Sequence, residues 1–72
     1  MQNEKTTFNK DLQLQLEQEL IGAIMLEPQK IFNLINVINK EHFFFNEHKL
    51  IIDYMLTNSD NIDLLKIKEL LT

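Results

Sequence analysis

The sequence predicts a small all-α domain, and three of its features support that fold class. The chain has 72 residues, which is enough for a single domain with a small core. It contains one glycine, Gly22, and one proline, Pro28, and it has no hairpin dipeptide such as Asn-Gly, so little interrupts a helix. Its apolar residues recur at intervals of three and four, the period of an amphipathic helix. We therefore expect an orthogonal or bundle-like arrangement of about four helices.

The first helix is expected over residues 11–25. Residues 1–10 are polar and predict a flexible N-terminal tail, which leaves residues 11–72 as the helical domain. Asp11 is the expected N-cap, because its carboxylate can accept from a free backbone N–H of the first turn. The side chains predicted to face the core share one helical stripe and are Leu16, Leu20, Ala23 and Ile24, with Ile21 and Met25 widening the stripe.

Two residues mark the end of that helix and its packing. Pro28 cannot continue a helix from its interior but suits a first turn, so the chain is expected to break near Leu26 and Glu27 and to restart. Gly22 costs a helix about 1 kcal/mol relative to alanine, which predicts that it marks a close approach of another helix.

The second helix is predicted from Pro28 to Asn39, and an aromatic connector follows it. The inward face of the helix is expected to hold Ile31, Leu34, Ile35 and Ile38. In the connector, residues 42–45, the side chains of Phe43, Phe44 and Phe45 cannot all point the same way. Some of them are expected to anchor the connector to the core, and one that stays exposed would be a candidate partner contact.

Two further helices are predicted beyond the connector. The third is expected from Glu47 to about Thr57, with Asn46 as its N-cap. Its inward stripe is Leu50, Ile51, Tyr54 and Met55. A polar turn over residues 58–61 leads to a last helix, residues 64–71, with Asp63 as its cap. The inward side chains of that helix are expected to be Leu64, Ile67, Leu70 and Leu71.

The charge and composition exclude several classes of function. The formal net charge is −4, and every basic residue is lysine, so the average field repels phosphate and no arginine can grip it bidentately. Direct nucleic-acid binding is not expected, unless a basic stripe on one face gathers Lys30, Lys40, Lys49, Lys66 and Lys68. The absence of cysteine and of an apolar signal core makes the cytoplasm the default location, and the longest apolar run, residues 20–26, is too short to span a membrane.

The sequence also predicts no catalytic residue, no cofactor and no metal site. One glycine cannot form the phosphate-binding loop of an ATPase or a dinucleotide-binding fingerprint, so ATP hydrolysis by this chain is excluded. His42 and His48, with Glu41 and Glu47 beside them, form the only cluster that resembles metal or acid–base chemistry. The histidines are six residues apart and no HExxH motif is present, so His48 is expected to pack or hydrogen-bond locally in its helix's first turn.

Three segments resemble the N-terminal domain of DnaB-family replicative helicases. They are EQELIGAIMLEP (17–28), HFFFNEHKLIIDYML (42–56) and NIDLLKIKELL (61–71), in the family's order and spacing. The family pattern is matched by Glu17, Gly22, Ala23, Ile24, Leu26, Glu27, Pro28, Phe43, Phe44, His48, Ile51, Ile62 and Asp63. The resemblance covers roughly residues 11–71.

This resemblance implies a protein-interaction head without catalytic machinery. Such a head helps to order the helicase ring and communicates with primase and the helicase loader in DNA replication. Without the family's ATPase domain and pairing hairpin, ring formation is expected only in a longer parent. The alternative is a stand-alone phage or plasmid protein that mimics this head and regulates the host helicase or loader. In either case the expected contact residues are Lys49, Lys66 and Lys68.

Overall fold

A computed structural model describes residues 8–71, and every regular element in that range is helical. The elements are α1 (Lys10–Leu26), α2 (Ile31–Leu34), α3 (Asn46–Thr57) and α4 (Leu64–Leu70), with 3-10 turns at Pro28–Lys30 and Lys40–His42. The predicted class, a small all-α bundle of about four helices, is confirmed. Of the tail expected over residues 1–10, residues 1–7 lie outside the described range.

α1 begins at Lys10, one residue earlier than predicted, and its N-cap is Asn9 and not Asp11. Asn9 has an extended backbone, and its side-chain oxygen accepts from the Leu12 backbone N–H at 3.0 Å. Asp11, the predicted cap, instead lies in the first turn, where its charge complements the helix dipole. Asparagine and aspartate cap helices about equally well, so the sequence alone did not separate the two.

The predicted second helix, from Pro28 to Asn39, is wrong in length. After the break predicted at Pro28, a 3-10 turn leads into α2, which ends at Leu34. The Val37 and Ile38 N–H groups both donate to the Leu34 carbonyl, at 2.8 and 3.0 Å, and close the helix with a tight turn. The segment that follows is rich in β-branched residues and asparagine, which have low helix propensity.

Asn39 begins a second 3-10 turn that precedes the aromatic connector. Its side-chain oxygen accepts from the Glu41 backbone N–H at 2.7 Å, and its own backbone N–H donates to Nδ1 of His42 at 3.1 Å. These reciprocal bonds hold the His42 ring in local structure, within the turn over residues 40–42.

The last two helices lie close to their predicted bounds. α3 begins at Asn46, which is its first helical residue, and no side chain of its own caps it, so the prediction of Asn46 as cap is wrong. At α4 the prediction is confirmed, because Asp63 accepts from the Leu65 N–H at 2.9 Å. The Asp63 N–H donates to the Tyr54 hydroxyl at 3.0 Å and ties the turn before α4 to α3.

The core lies where α1 packs against α3 and α3 packs against α4. Its buried apolar side chains are Ile21, Ile24, Ile31, Phe43, Ile51, Ile52, Met55 and Ile67. Most of them are isoleucine, whose single preferred rotamer in a helix suits a small, rigid core.

Several side chains predicted to face inward do not. In α1, Leu16 is 53% exposed and Glu17 is buried instead, whereas Ile21, at the margin of the predicted stripe, is buried as expected. In α3, Leu50 is exposed and Ile52 is buried, and in α4 only Ile67 is buried, so the predictions for Leu64, Leu70 and Leu71 are also wrong. Each of these helices carries apolar residues around more than one side, so the period alone did not identify the buried face.

Gly22 does not mark a close approach between helices. A Cβ atom built at this position would meet nothing within 4 Å, so the prediction of tight packing there is wrong. Gly22 is only partly buried, on a side of α1 that no other described element covers closely.

The burial pattern of α1 predicts different costs for two matched truncations. Ile24→Ala should lower the free energy of unfolding by about 2–5 kcal/mol, because it empties a fully buried site. Leu16→Ala should cost less than about 1 kcal/mol, because half of this side chain is already in water. Urea unfolding of both variants measures the difference. Equal costs would contradict the burial pattern of α1.

Candidate functional site

The most unusual side chain of the domain is a buried carboxylate, Glu17. It is 3% exposed and is the one charged side chain among the buried residues of the described range. It shares the core face of α1 with Ile21 and Ile24, four and seven residues further on. An unpaired charge at such a site would be expensive, so the surroundings must supply hydrogen-bond donors.

Four donors surround this carboxylate, two on each oxygen. Oε2 accepts from Gln13 Nε2 at 2.6 Å and from the Phe44 backbone N–H at 2.7 Å. Oε1 accepts from His48 Nδ1 at 2.7 Å and, more weakly, from the Phe45 backbone N–H at 3.4 Å. We call these five residues the Glu17 cluster. Their hydrogen bonds account for the burial of the charge.

The Glu17 cluster joins two segments that are far apart in sequence. Gln13 is one turn before Glu17 on α1, so helix geometry alone brings the two side chains together. Phe44 and Phe45 directly precede α3, and His48 lies in its first turn. The carboxylate therefore stands at the N-terminal end of α3, where negative charge complements the helix dipole. It fixes the backbone of Phe44 and Phe45 immediately before the helix.

The hydrogen bonds also decide the ionisation of Glu17. Burial by itself raises the pKa of a carboxyl group, but the hydrogen bonds from Gln13, Phe44, His48 and Phe45 outweigh burial and lower the pKa of Glu17 below its ordinary value. A carboxylate with a lowered folded-state pKa stabilises the fold above its unfolded-state pKa. That contribution is lost as the pH falls through the folded-state pKa of Glu17.

His48 lies in the first turn of α3 and packs against Phe45, as predicted, but its hydrogen bond is not local, because the partner Glu17 is 31 residues earlier in the chain. An ionised carboxylate only accepts, so the proton of this hydrogen bond is on Nδ1 of His48. The ring of Phe45 lies edge-on to the imidazole, with centroids 5.6 Å apart. Within residues 8–71 no group of three or more His, Cys, Asp or Glu side chains is placed to hold a metal ion.

An exposed aromatic ridge adjoins the Glu17 cluster. The Phe44 side chain is 51% exposed although its own backbone N–H is fixed by Glu17, and Phe43, its neighbour, is buried. The ring of Phe44 contacts Phe8 on one side and Phe45 on the other, with centroid distances of 4.8 and 5.0 Å. We call Phe8, Phe44 and Phe45 the aromatic ridge. Two of its three residues, Phe44 and Phe45, have backbone N–H groups held by Glu17, and such a fixed backbone is typical of an interaction anchor.

The other residues singled out from the sequence lie apart from the Glu17 cluster. Pro28 begins the 3-10 turn after α1, and Ile62 and Asp63 lie in the turn before α4. Lys66 and Lys68 are two residues apart, so they lie about 160° apart around the axis of α4. Lys49 is on α3, with its Nζ 3.8 Å from the Glu41 carboxylate.

The lysines that would have to form a basic stripe for nucleic-acid binding mostly lie beside acidic residues. Lys30 Nζ lies 3.1 Å from Oε1 of Glu27, and Lys66 Nζ lies 3.7 Å from Oε1 of Glu69. With Lys49 also paired, three of the five lysines that could have formed a stripe are close to a carboxylate. The fold therefore offers little support for a phosphate-binding surface. Over the described residues, none of the helices has the length and apolar character needed to cross a membrane.

Comparison with known proteins gives one match. The family model described as the DnaB-like helicase N terminal domain matches residues 9–72. No curated protein and no solved structure matches the chain significantly. The matched range includes all four helices and the whole Glu17 cluster.

The Glu17 cluster predicts a large difference between two glutamates on the same helix. Glu17→Gln should lower the free energy of unfolding by about 2–4 kcal/mol, because it removes the charge that four donors face. Glu19→Gln, on the exposed side of α1, should change it by less than about 0.5 kcal/mol. Urea unfolding at neutral pH measures both. A Glu17 variant as stable as the Glu19 variant would contradict the importance of the cluster.

Proposed function

The chain belongs to the DnaB-like helicase N-terminal domain family, and from this membership we propose that it is the protein-interaction head of a replicative DNA helicase. As such a head it contributes to the organisation of the helicase ring and to contacts with primase or the helicase loader. The observation that carries the proposal is the family match over residues 9–72, nearly the whole chain.

The chemistry of the domain supports a role in binding proteins. A small core leaves many large apolar side chains in water, and several of them adjoin the rigid Glu17 cluster. The aromatic ridge is the best candidate for a main contact, because aromatic side chains with restricted motion dominate protein interfaces. The exposed parts of α3 at Lys49 and of α4 at Lys66 and Lys68 are proposed as further, weaker contacts, with Lys66 and Lys68 facing different surfaces of a partner because they lie on opposite sides of α4.

Direct DNA binding is not part of this proposal. The net charge of −4 repels the phosphate backbone on average, and Lys30, Lys49 and Lys66 lie beside carboxylates. The domain is expected to serve replication through its protein partners.

The proposal predicts that the immobilised chain retains at least one purified replication protein from its source. The proteins offered are the replicative helicase, primase and the helicase loader, each alone, at about 0.15 M salt so that weak surface attraction is screened. Retention of none of the three, together with retention of duplex DNA, would overturn the proposed function.

A matched pair of variants locates the contact in the same assay. Phe44→Ser should weaken retention at least about tenfold, because it removes the centre of the aromatic ridge and leaves its backbone hydrogen bond in place. Phe32→Ser removes an equally exposed phenylalanine, on α2, and should leave retention unchanged. Equal effects of the two variants would exclude the ridge as the main contact.

A further inference from the structure

The first helix has a second apolar face that is largely exposed in the part of the chain that the structure describes. Leu12, Leu16 and Leu26 are 50%, 53% and 85% exposed. Together with Ala23 and Glu19 they follow one another along α1 at intervals of four, three, four and three residues. We call these five residues the α1 seam. It lies on a different side of the helix from Glu17, Ile21 and Ile24, which face the core.

The spacing of the α1 seam is that of a helix that pairs with another helix. Alternating steps of three and four place side chains along a nearly straight line, as at the two core positions of a coiled coil. The seam spans residues 12–26, or about 21 Å of helix axis, which is about four turns of contact for a partner helix. Isolated exposed leucines are common on protein surfaces, whereas three exposed leucines aligned with an alanine along one helix face at this spacing are typical of a helix-pairing surface.

The charged residues of this face are acidic. Glu19 lies at the middle of the α1 seam and is exposed, with Gln15 donating to it at 3.2 Å. Asp11 is exposed at the flank, one residue before Leu12. The nearest basic residue on α1, Lys10, lies about 160° around the axis from Leu12, on the other side of the helix. A partner helix would therefore contact a row of apolar side chains with the negative charge of Glu19 at its middle.

This arrangement argues against a second copy of the chain as the partner. Glu19 is midway between Leu12 and Leu26, so it would face the Glu19 of a second copy in a parallel pair and in a symmetric antiparallel pair. Like charges placed against each other in a desolvated seam cost stability. A lysine or arginine at that position of a different helix would instead form an ion pair at the centre of the contact.

We propose that the α1 seam docks a basic amphipathic helix of a partner protein. The partner helix has aliphatic side chains at heptad spacing and a lysine or arginine opposite Glu19. The inference rests on the proposed function in one respect, since it assumes that the domain works by binding proteins. It adds the surface and the chemistry of the partner. The seam is distinct from the aromatic ridge, so the two surfaces can be tested separately.

A shallow cleft beside the seam adds a place for one partner side chain. Leu16 borders a cavity of about 140 Å³ that is also lined by Leu20, Ile38 and Phe43. The polar side chains of Gln13, Glu17 and His42 complete its lining. An aliphatic side chain of the partner helix could enter this cleft while the rest of its row contacts the seam.

The test uses the full chain and two synthetic helical peptides of about 20 residues, a length at which isolated helices become stable enough to use. Both carry leucine at heptad spacing. One has lysine at the central and flanking positions, and the other has glutamate at the same positions. Fluorescence anisotropy at about 0.15 M salt measures binding. The lysine peptide should bind at least about tenfold more tightly than the glutamate peptide.

Variants of the chain show whether the α1 seam is the site. Glu19→Lys should make the chain bind the glutamate peptide more tightly than the lysine peptide. Leu16→Asp should weaken binding of the lysine peptide at least about tenfold. Leu65→Asp changes a comparably exposed leucine on α4 and should leave binding unchanged. Circular dichroism checks that each variant stays folded. Equal binding of both peptides, or equal effects of Leu16→Asp and Leu65→Asp, would overturn the inference.

Two further outcomes separate this inference from the proposed function. A concentration-dependent dimer in sedimentation, abolished by Leu16→Asp, would make a second copy the occupant and would overturn the basic partner. Undiminished binding of the lysine peptide to both Leu16→Asp and Glu19→Lys would also overturn it, while the proposed function, whose main contact is the aromatic ridge, stands. If the wild-type chain retains no replication protein but binds the lysine peptide through the seam, the proposed function fails and the surface inference holds.

Discussion

The hydrogen bonds of one buried carboxylate fix the start of α3 against α1. A domain of this size buries few apolar side chains, so its helices need a specific tie in addition to hydrophobic contact. Burying the Glu17 charge carries a desolvation cost, which the two backbone N–H groups, Gln13 and His48 offset. Those donors come from two distant segments, so the charge is satisfied only when both are in place.

The hydrogen bond from the Phe44 N–H to Glu17 also explains why Phe43 is buried and its neighbour Phe44 is exposed. The connector is extended at Phe43, so successive side chains point to opposite sides. With the Phe44 N–H held by Glu17, Phe43 is directed into the core and the Phe44 ring is left at the surface. The same bond therefore completes the core and presents the aromatic ridge. A surface fixed in this way loses little conformational entropy when a partner binds.

Much of the fold was predictable because helix punctuation is local. Pro28 gave the end of α1, and Asp63 gave the start of α4. The failures have a common cause. In α1, α3 and α4, leucine and isoleucine occur on more than one side of the helix. A periodic pattern does not say which of two apolar faces is covered by the rest of the protein. The exposure of Leu16 was therefore missed, and with it the α1 seam.

Only part of the Glu17 cluster could be predicted from the sequence. Glu17 stands four and seven residues before Ile21 and Ile24, so its place on their side of the helix was a signal that a charge is buried. Its donors at Phe44 and Phe45 are backbone groups, which no side-chain pattern reveals. His48 was assigned to local packing because its partner lies 31 residues away. The resemblance to the helicase family included Glu17 and His48 but gave no reason to pair them.

The most direct test of the Glu17 cluster is an NMR titration of the Glu17 side-chain carboxyl carbon, with the Phe44 backbone amide proton followed in the same samples. If the carboxylate is ionised and held by its donors, the pKa of Glu17 will lie below the ordinary glutamate value of about 4.3. The Phe44 amide resonance will then move at the same pH, because it reports the shared hydrogen bond. A Glu17 pKa at or above the ordinary value, or a Phe44 amide that does not follow it, would contradict the central role of this carboxylate.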